Sequence, residues 1–152
     1  MQLSPLEIVR RESLKKLIDL GINPYPAEEF KTTATIKEIT SNFNSFEGKE
    51  VVLAGRMMSR RIMGKASFAE LKDASGRMQI YVNRDEISSE EDPTMYNTVF
   101  KKLLDMGDII GVRGDVFKTN GKLPEKPGRF FYFIDYFLFK HSEKSLFVFP
   151  KY

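Results

Sequence analysis

At Glu50 the spacing of apolar residues changes from a helical three-and-four to a period of two. Three such runs, 51–62, 65–73 and 77–83, then follow with almost no chain between them. Period two describes strands with two distinct faces. The breaks at Gly64 and at the tight turn "DASG" (73–76) are short enough only for hairpins, so the three runs form a meander. Asp92 and Pro93 then open a helix with apolar positions at Met95, Val99, Leu103 and Met106, closed by Gly107. A fourth strand, 108–117, carries two glycines where a barrel strand can bulge or bend, and a fifth apolar stretch runs over 130–139. Three strands, a helix and two strands is the order of a five-stranded OB-fold Greek-key barrel, mainly β with helices (α+β).

The first third of the chain reads as a helical leader. "SPLE" (4–7) has the form of a capping box with proline in the first helical position. Leu6, Val9, Leu14, Leu17 and Ile18 form an apolar stripe opposite Arg10, Arg11, Lys15 and Lys16. Gly21, Pro24 and Pro26 end that helix, and a second box, "TIKE" (35–38), starts a short helix or turn ahead of Phe43 and Phe46. The expected division is therefore a leader over 1–48, a barrel over 49–140 and a tail over 141–152.

Composition excludes several chemistries. Cysteine is absent, which removes disulfides, thiolate metal sites and cysteine nucleophiles, and a single histidine, His141, makes a histidine metal cluster or a Ser/His/Asp triad a poor fit. No apolar run reaches the roughly 18 residues of a membrane span and the first residues do not read as a signal peptide, so a soluble, cytoplasmic protein with no membrane partner is expected. Lys and Arg total 24 against 21 Asp and Glu. An excess that small says little, so the placement of the cations matters more.

They gather around the first hairpin. Arg56, Arg60, Arg61 and Lys65 surround Gly64, and alternation puts Ala66, Phe68 and Glu70 on one face of the second strand, with Ser67, Ala69 and Leu71 on the other. On the third strand Met78, Ile80 and Val82 point inward, leaving Arg77, Gln79 and Tyr81 outward. Rings on which bases stack, an amide for a base edge and cations for phosphates, all on one face, are what single-stranded nucleic acid requires. Strands two and three are also where OB folds bind it. The same features have plainer explanations: a ring capped by a loop, arginines solvating an edge, a glycine serving its hairpin. "MGK" lacks the frame of a phosphate loop.

The strings "LGINPYP", "LAGRMMSRRIMGKASFAELKD", "GRMQIYVNRD", "YNTVFKKLLDMGDIIGVRG" and "VFKT", in that order over 4–120, resemble the N-terminal anticodon-binding domain of bacterial class II lysyl-tRNA synthetases. The resemblance implies that Phe68 stacks on the central uridine of a U-rich lysine anticodon. It also implies that Gln79 hydrogen-bonds that base and that Arg60, with Arg56, holds the base or its phosphate. Arg61, Lys65, Arg77 and Tyr81 are further candidates. The implied partner is the anticodon stem-loop of lysine tRNA. ATP and magnesium belong to the family's catalytic domain, whose three motifs do not occur in these residues. The chain alone is therefore expected to bind RNA without charging it, with no catalytic residue, metal or cofactor of its own.

After Asn120 the sequence departs from the family pattern. The family's strand-five glutamate has only Lys122 or Glu125 as counterparts, neither within a matching motif, and the aromatic-rich tail reads either as natural divergence or as a shifted reading frame. Two other functions stay open: a free-standing OB module binding single strands non-specifically, and a protein-interaction module using the first helix and the aromatic tail, with self-association.

Overall fold

The computed structural model describes residues 3–23 and 30–118, together with the backbone of 131–133, 136–137 and 148–149. Strands β1 (Glu50–Met63), β2 (Ala66–Lys72) and β3 (Arg77–Asn83) form the expected antiparallel meander. Strand β4 (Ile109–Phe117) returns antiparallel along the other edge of β1, curling the sheet into the half-barrel of an OB fold. Gly64 turns the first hairpin with φ +68°, the left-handed region that a side chain disfavours.

Before the sheet lie α1 (Pro5–Asp19), α2 (Ile36–Ser41) and α3 (Phe43–Phe46). Both capping boxes form: the Glu7 carboxylate accepts from the Ser4 amide at 2.7 Å, and the Glu38 carboxylate does the same for Thr35. Between β3 and β4 come α4 (Arg84–Ile87) and a nine-residue helix of π geometry, here α5 (Met95–Leu103). The expected continuation of α5 to Gly107 does not occur. The Gly107 amide donates to the Met57 carbonyl and the Met57 amide to Asp108, so the loop is tied to β1 and Met106 at its tip is 59% exposed.

The core lies inside the curl. Met57, Ala69, Leu71, Met78, Ile80, Val82, Ile110 and Val112 line the inner face, as alternation predicts, and α5 adds Tyr96, Val99, Phe100 and Leu103. Ile36 and Ile39 of α2 belong to the same cluster. The inner-face Ser67 is satisfied by the Tyr96 hydroxyl at 2.6 Å, which also donates to the Gly64 carbonyl and so fixes the first hairpin to α5. Helix α1 buries less than its stripe implies. Only Leu17 of its expected core residues is buried, whereas Leu6, Val9 and Ile18 are more than half exposed, because its principal contact is one helix, α5, and not a sheet.

Two features of the barrel strands differ from expectation. The register between β1 and β4 is unbroken, so the glycines of β4 mark no bulge. Gly111 instead lies beneath Phe30: a Cβ there would come within 2.4 Å of its ring. The bulge is in β1, where the register against β2 shifts between Met57 and Ser59. A complete fifth strand over 130–139 is not shown. A three-residue stretch, Phe131–Phe133, pairs parallel to β3 at Gln79–Tyr81 and antiparallel to β4 at Val116–Phe117. His141, Lys122 and Glu125 lie outside the described residues. Among the described residues no helix is long and apolar enough to cross a membrane.

The turn between β2 and β3 is held by one carboxylate. Asp73 accepts from the Ser75 amide, the Ser75 hydroxyl and the Gly76 amide through one oxygen, and from the Ile36 amide at the start of α2 through the other. Burial works to raise its pKa, but the hydrogen bonds from Ile36, Ser75 and Gly76 together outweigh it and hold the group below the ordinary aspartate value. The native fold thus favours the ionised form, and the stabilisation is complete above the ordinary aspartate range and lost as pH falls through the lower native value. Asp73→Ala should cost about 1.5–3 kcal/mol in urea unfolding at neutral pH. The gap between variant and parent should narrow as the buffer is acidified below that range.

Candidate nucleic-acid interface

Because cross-strand partners share a face, the pairings of β1, β2 and β3 define the outer surface row by row. One row is Arg61, Phe68 and Tyr81; the next is Ser59, Glu70 and Gln79; a third is Arg56, Lys72 and Arg77. Past the aromatic row, at the hairpin end, stand Met63, Ala66 and Asn83. Phe68, Gln79, Tyr81 and Arg77 therefore do share one face. Phe117, from β4, joins them: its ring meets Tyr81 edge-on at 6.5 Å between centroids.

The bulge decides which arginine belongs to that face. Had the register of Met57 opposite Leu71 continued, Arg60 would stand opposite Phe68. The extra residue, Met58, makes Arg61 the partner of Phe68 and pairs Arg60 with Ala69, on the inner face. Arg60, expected to hold the base or its phosphate, is engaged within the fold in this unbound structure. Its guanidinium donates to the carbonyls of Phe100 and Leu104 (2.9 Å to the latter) at the C-terminal end of α5, and lies over the Phe100 ring at 5.6 Å. The carbonyl end of a helix carries its negative pole, so a half-buried cation is well placed there. Burial lowers the pKa of Arg60, and the charges of Asp105 and Asp108 oppose that shift. Arg61 is exposed beside the aromatic row.

The other candidates divide similarly. Arg56 is on the outer face but donates to the Gly107 carbonyl, so part of its guanidinium serves the loop that ends α5. Arg77 pairs with Glu70 at 3.1 Å, and Lys65 lies 3.5 Å from Asp85. Phe68 is on the expected face but only 9% exposed, with its ring tilted 53° against Tyr81 at 5.3 Å. The ring is therefore mostly covered in the unbound structure, one of the two readings its sequence position left open. Burial, followed by the charge of Glu86, raises the pKa of Tyr81, which keeps its phenol protonated and able to donate. Lys72, exposed between Arg56 and Arg77, was missed, although it continues the alternation of Phe68 and Glu70.

The surface thus offers an aromatic pair, an amide and a set of cations on three adjacent strands. Comparison with known proteins bears on the family. A model of the OB-fold nucleic acid binding domain matches residues 51–127. The lysine-tRNA ligase of Christiangramia forsetii is 57% identical over 118 residues, covering 78% of this chain and 20% of the relative. That of Porphyromonas gingivalis is 56% identical over 122 residues, covering 78% and 21%, and one from a Thermoanaerobacter species is 46% identical over 118 residues, covering 78% and 22%. The chain spans about a fifth of the length of these relatives.

The exchange of roles between the paired arginines is measurable without any ligand. Arg60→Ala should lower unfolding stability by about 1.5–3 kcal/mol, since it strips charged hydrogen bonds from the end of α5. Arg61→Ala should stay within about 0.5 kcal/mol of the parent. Equal losses for the two in chemical denaturation would contradict the bulged register.

Proposed function

Since the chain belongs to the OB-fold nucleic acid binding family in the form found in lysine-tRNA ligases, we propose that it is the tRNA anticodon-binding part of such a ligase and recognises a U-rich lysine anticodon. The observation that carries this reading is the cross-strand row Arg61, Phe68 and Tyr81, with Gln79 in the adjoining row. A pyrimidine laid on the Phe68 and Tyr81 rings brings its edge to the Gln79 amide, which can donate to a uracil carbonyl and accept from its N3–H. Arg61 beside the rings supplies a cation for the phosphate. Cytosine presents the opposite donor and acceptor at its ring nitrogen and exocyclic position, so a preference for uridine requires the amide held in the orientation that accepts from N3–H.

Phe68 is largely covered in the unbound protein, so a base gains its ring face by displacing neighbouring groups. Binding then includes a local rearrangement whose cost is subtracted from the stacking energy. The rest of the sheet is held by backbone pairing and by the Tyr96 link to the hairpin, so the opening is confined to side chains. Activation of lysine with ATP and magnesium, and transfer to tRNA, are proposed for the four-fifths of such ligases that this chain does not span. A contact surface on α1 is a second reading favoured by one observation, the exposure of Leu6, Val9 and Ile18.

Binding to a lysine anticodon stem-loop, compared with one whose central uridine is replaced by cytidine, tests the first reading. The parent should prefer uridine at every salt concentration, and Phe68→Ala should weaken binding by about 1–3 kcal/mol and abolish the preference. Equal, weak binding to both loops that falls away together as salt rises would favour a non-specific single-strand module.

A further inference from the structure

Four residues along β2 from Phe68, the outer face changes character. Arg56, Lys72 and Arg77 stand side by side on three neighbouring strands, forming a continuous row of cations across the sheet. Beside this row is an open hollow of about 400 Å³, walled by Ala54, Arg56, Met58, Lys72, Ala74 and Ile109. Its location follows from the bulge at Met58 and the β2–β3 turn, which together leave the end of the sheet concave.

The charges around the hollow are unevenly committed. Asp73 is at its rim, but both its oxygens already accept hydrogen bonds from Ile36, Ser75 and Gly76. Glu70 is paired with Arg77 at 3.1 Å, and Arg56 gives one donor to the Gly107 carbonyl. The Lys72 ammonium is exposed, with no ion pair or hydrogen-bond partner among the described residues. Asp73 stays ionised, so the lining carries two cations, Arg56 and Lys72, against one anion, and the balance is positive, with Lys72 as the most available cation.

We propose that this hollow and the row of cations form a second RNA subsite, which takes the sugar-phosphate backbone of the strand whose base lies on Phe68 and Tyr81. The inference rests on the RNA-binding reading above and extends it to a location and a residue outside the aromatic row. Four strand residues separate Phe68 from Lys72, about 13 Å along the sheet, a distance that fits within the four or more nucleotides an OB fold covers. A lysine contributes a mobile point charge suited to a phosphate and carries no base information. The subsite should thus add affinity and salt dependence without selectivity.

The test uses the full chain and the same two stem-loops, with affinity followed across a series of salt concentrations for the parent, Lys72→Gln and Lys72→Glu. Lys72→Gln should reduce the slope of log affinity against log salt by about 0.7, the value for one phosphate contact on a single strand. Lys72→Glu should reduce affinity further, and both should keep the parent's uridine-to-cytidine ratio. Thermal midpoints should match the parent, since the side chain is exposed. Slopes equal to the parent's in both variants would overturn the proposal, as would a uridine preference that falls along with affinity, because Lys72 would then act on the base. If the parent shows no uridine preference but Lys72→Gln still lowers the slope, the anticodon reading fails while the backbone subsite stands.

Discussion

The arrangement depends on one extra residue. Met58 interrupts the ladder between β1 and β2, and every side chain of β1 beyond it changes face relative to the register before it. This fixes which of two consecutive arginines turns into the molecule and which turns out. The inward Arg60 caps the carbonyl end of α5, and the outward Arg61 stands beside Phe68. Without the bulge, the helix would lose its cation and the aromatic row would gain a different arginine.

Much of the fold could be read from the residues. The meander, its hairpin turn at Gly64, the capped starts of α1 and α2, and the helix between the third and fourth strands all follow from local rules of period, turn chemistry and capping. Alternation also assigned the faces of β2 and β3 correctly, since neither strand is interrupted. It could not locate the bulge, because the inserted residue, Met58, is of the same type as Met57 before it and leaves no mark. Which face each of Arg60 and Arg61 takes could therefore not be read from the sequence. The covering of Phe68 was equally hidden, because alternation fixes which way a ring points and not what lies over it. Lys72 was legible from alternation with Phe68 and Glu70, but its significance emerged only with Arg56 and Arg77 on either side. On α1, periodicity identified a stripe whose width exceeds what one neighbouring helix can cover.

The outer face behaves as a ruler laid across three strands. Successive rows differ in kind: a mixed edge at the hairpin, then aromatic, then polar, then cationic. Backbone pairing fixes the spacing of these rows, so a strand of nucleic acid crossing them would meet each chemistry at a set distance from the last. The inner face does the mechanical work through Arg60, Tyr96 and the buried apolar layer. This separation lets exposed residues vary with little effect on folding.

The Asp73 carboxylate bridges a turn in the middle of the sheet to the first amide of α2, more than thirty residues earlier in the chain. Together with Ile36 and Ile39 in the core, it makes the segment ahead of β1 part of the barrel's own wall. A fragment trimmed to begin at β1 would keep every strand yet expose an apolar opening where α2 had been, with a carboxylate beside it missing one donor. For gene fragments and fusions, a junction must therefore lie ahead of Phe30, which packs over Gly111, and so ahead of Thr33, whose amide and hydroxyl bond Val52 of β1.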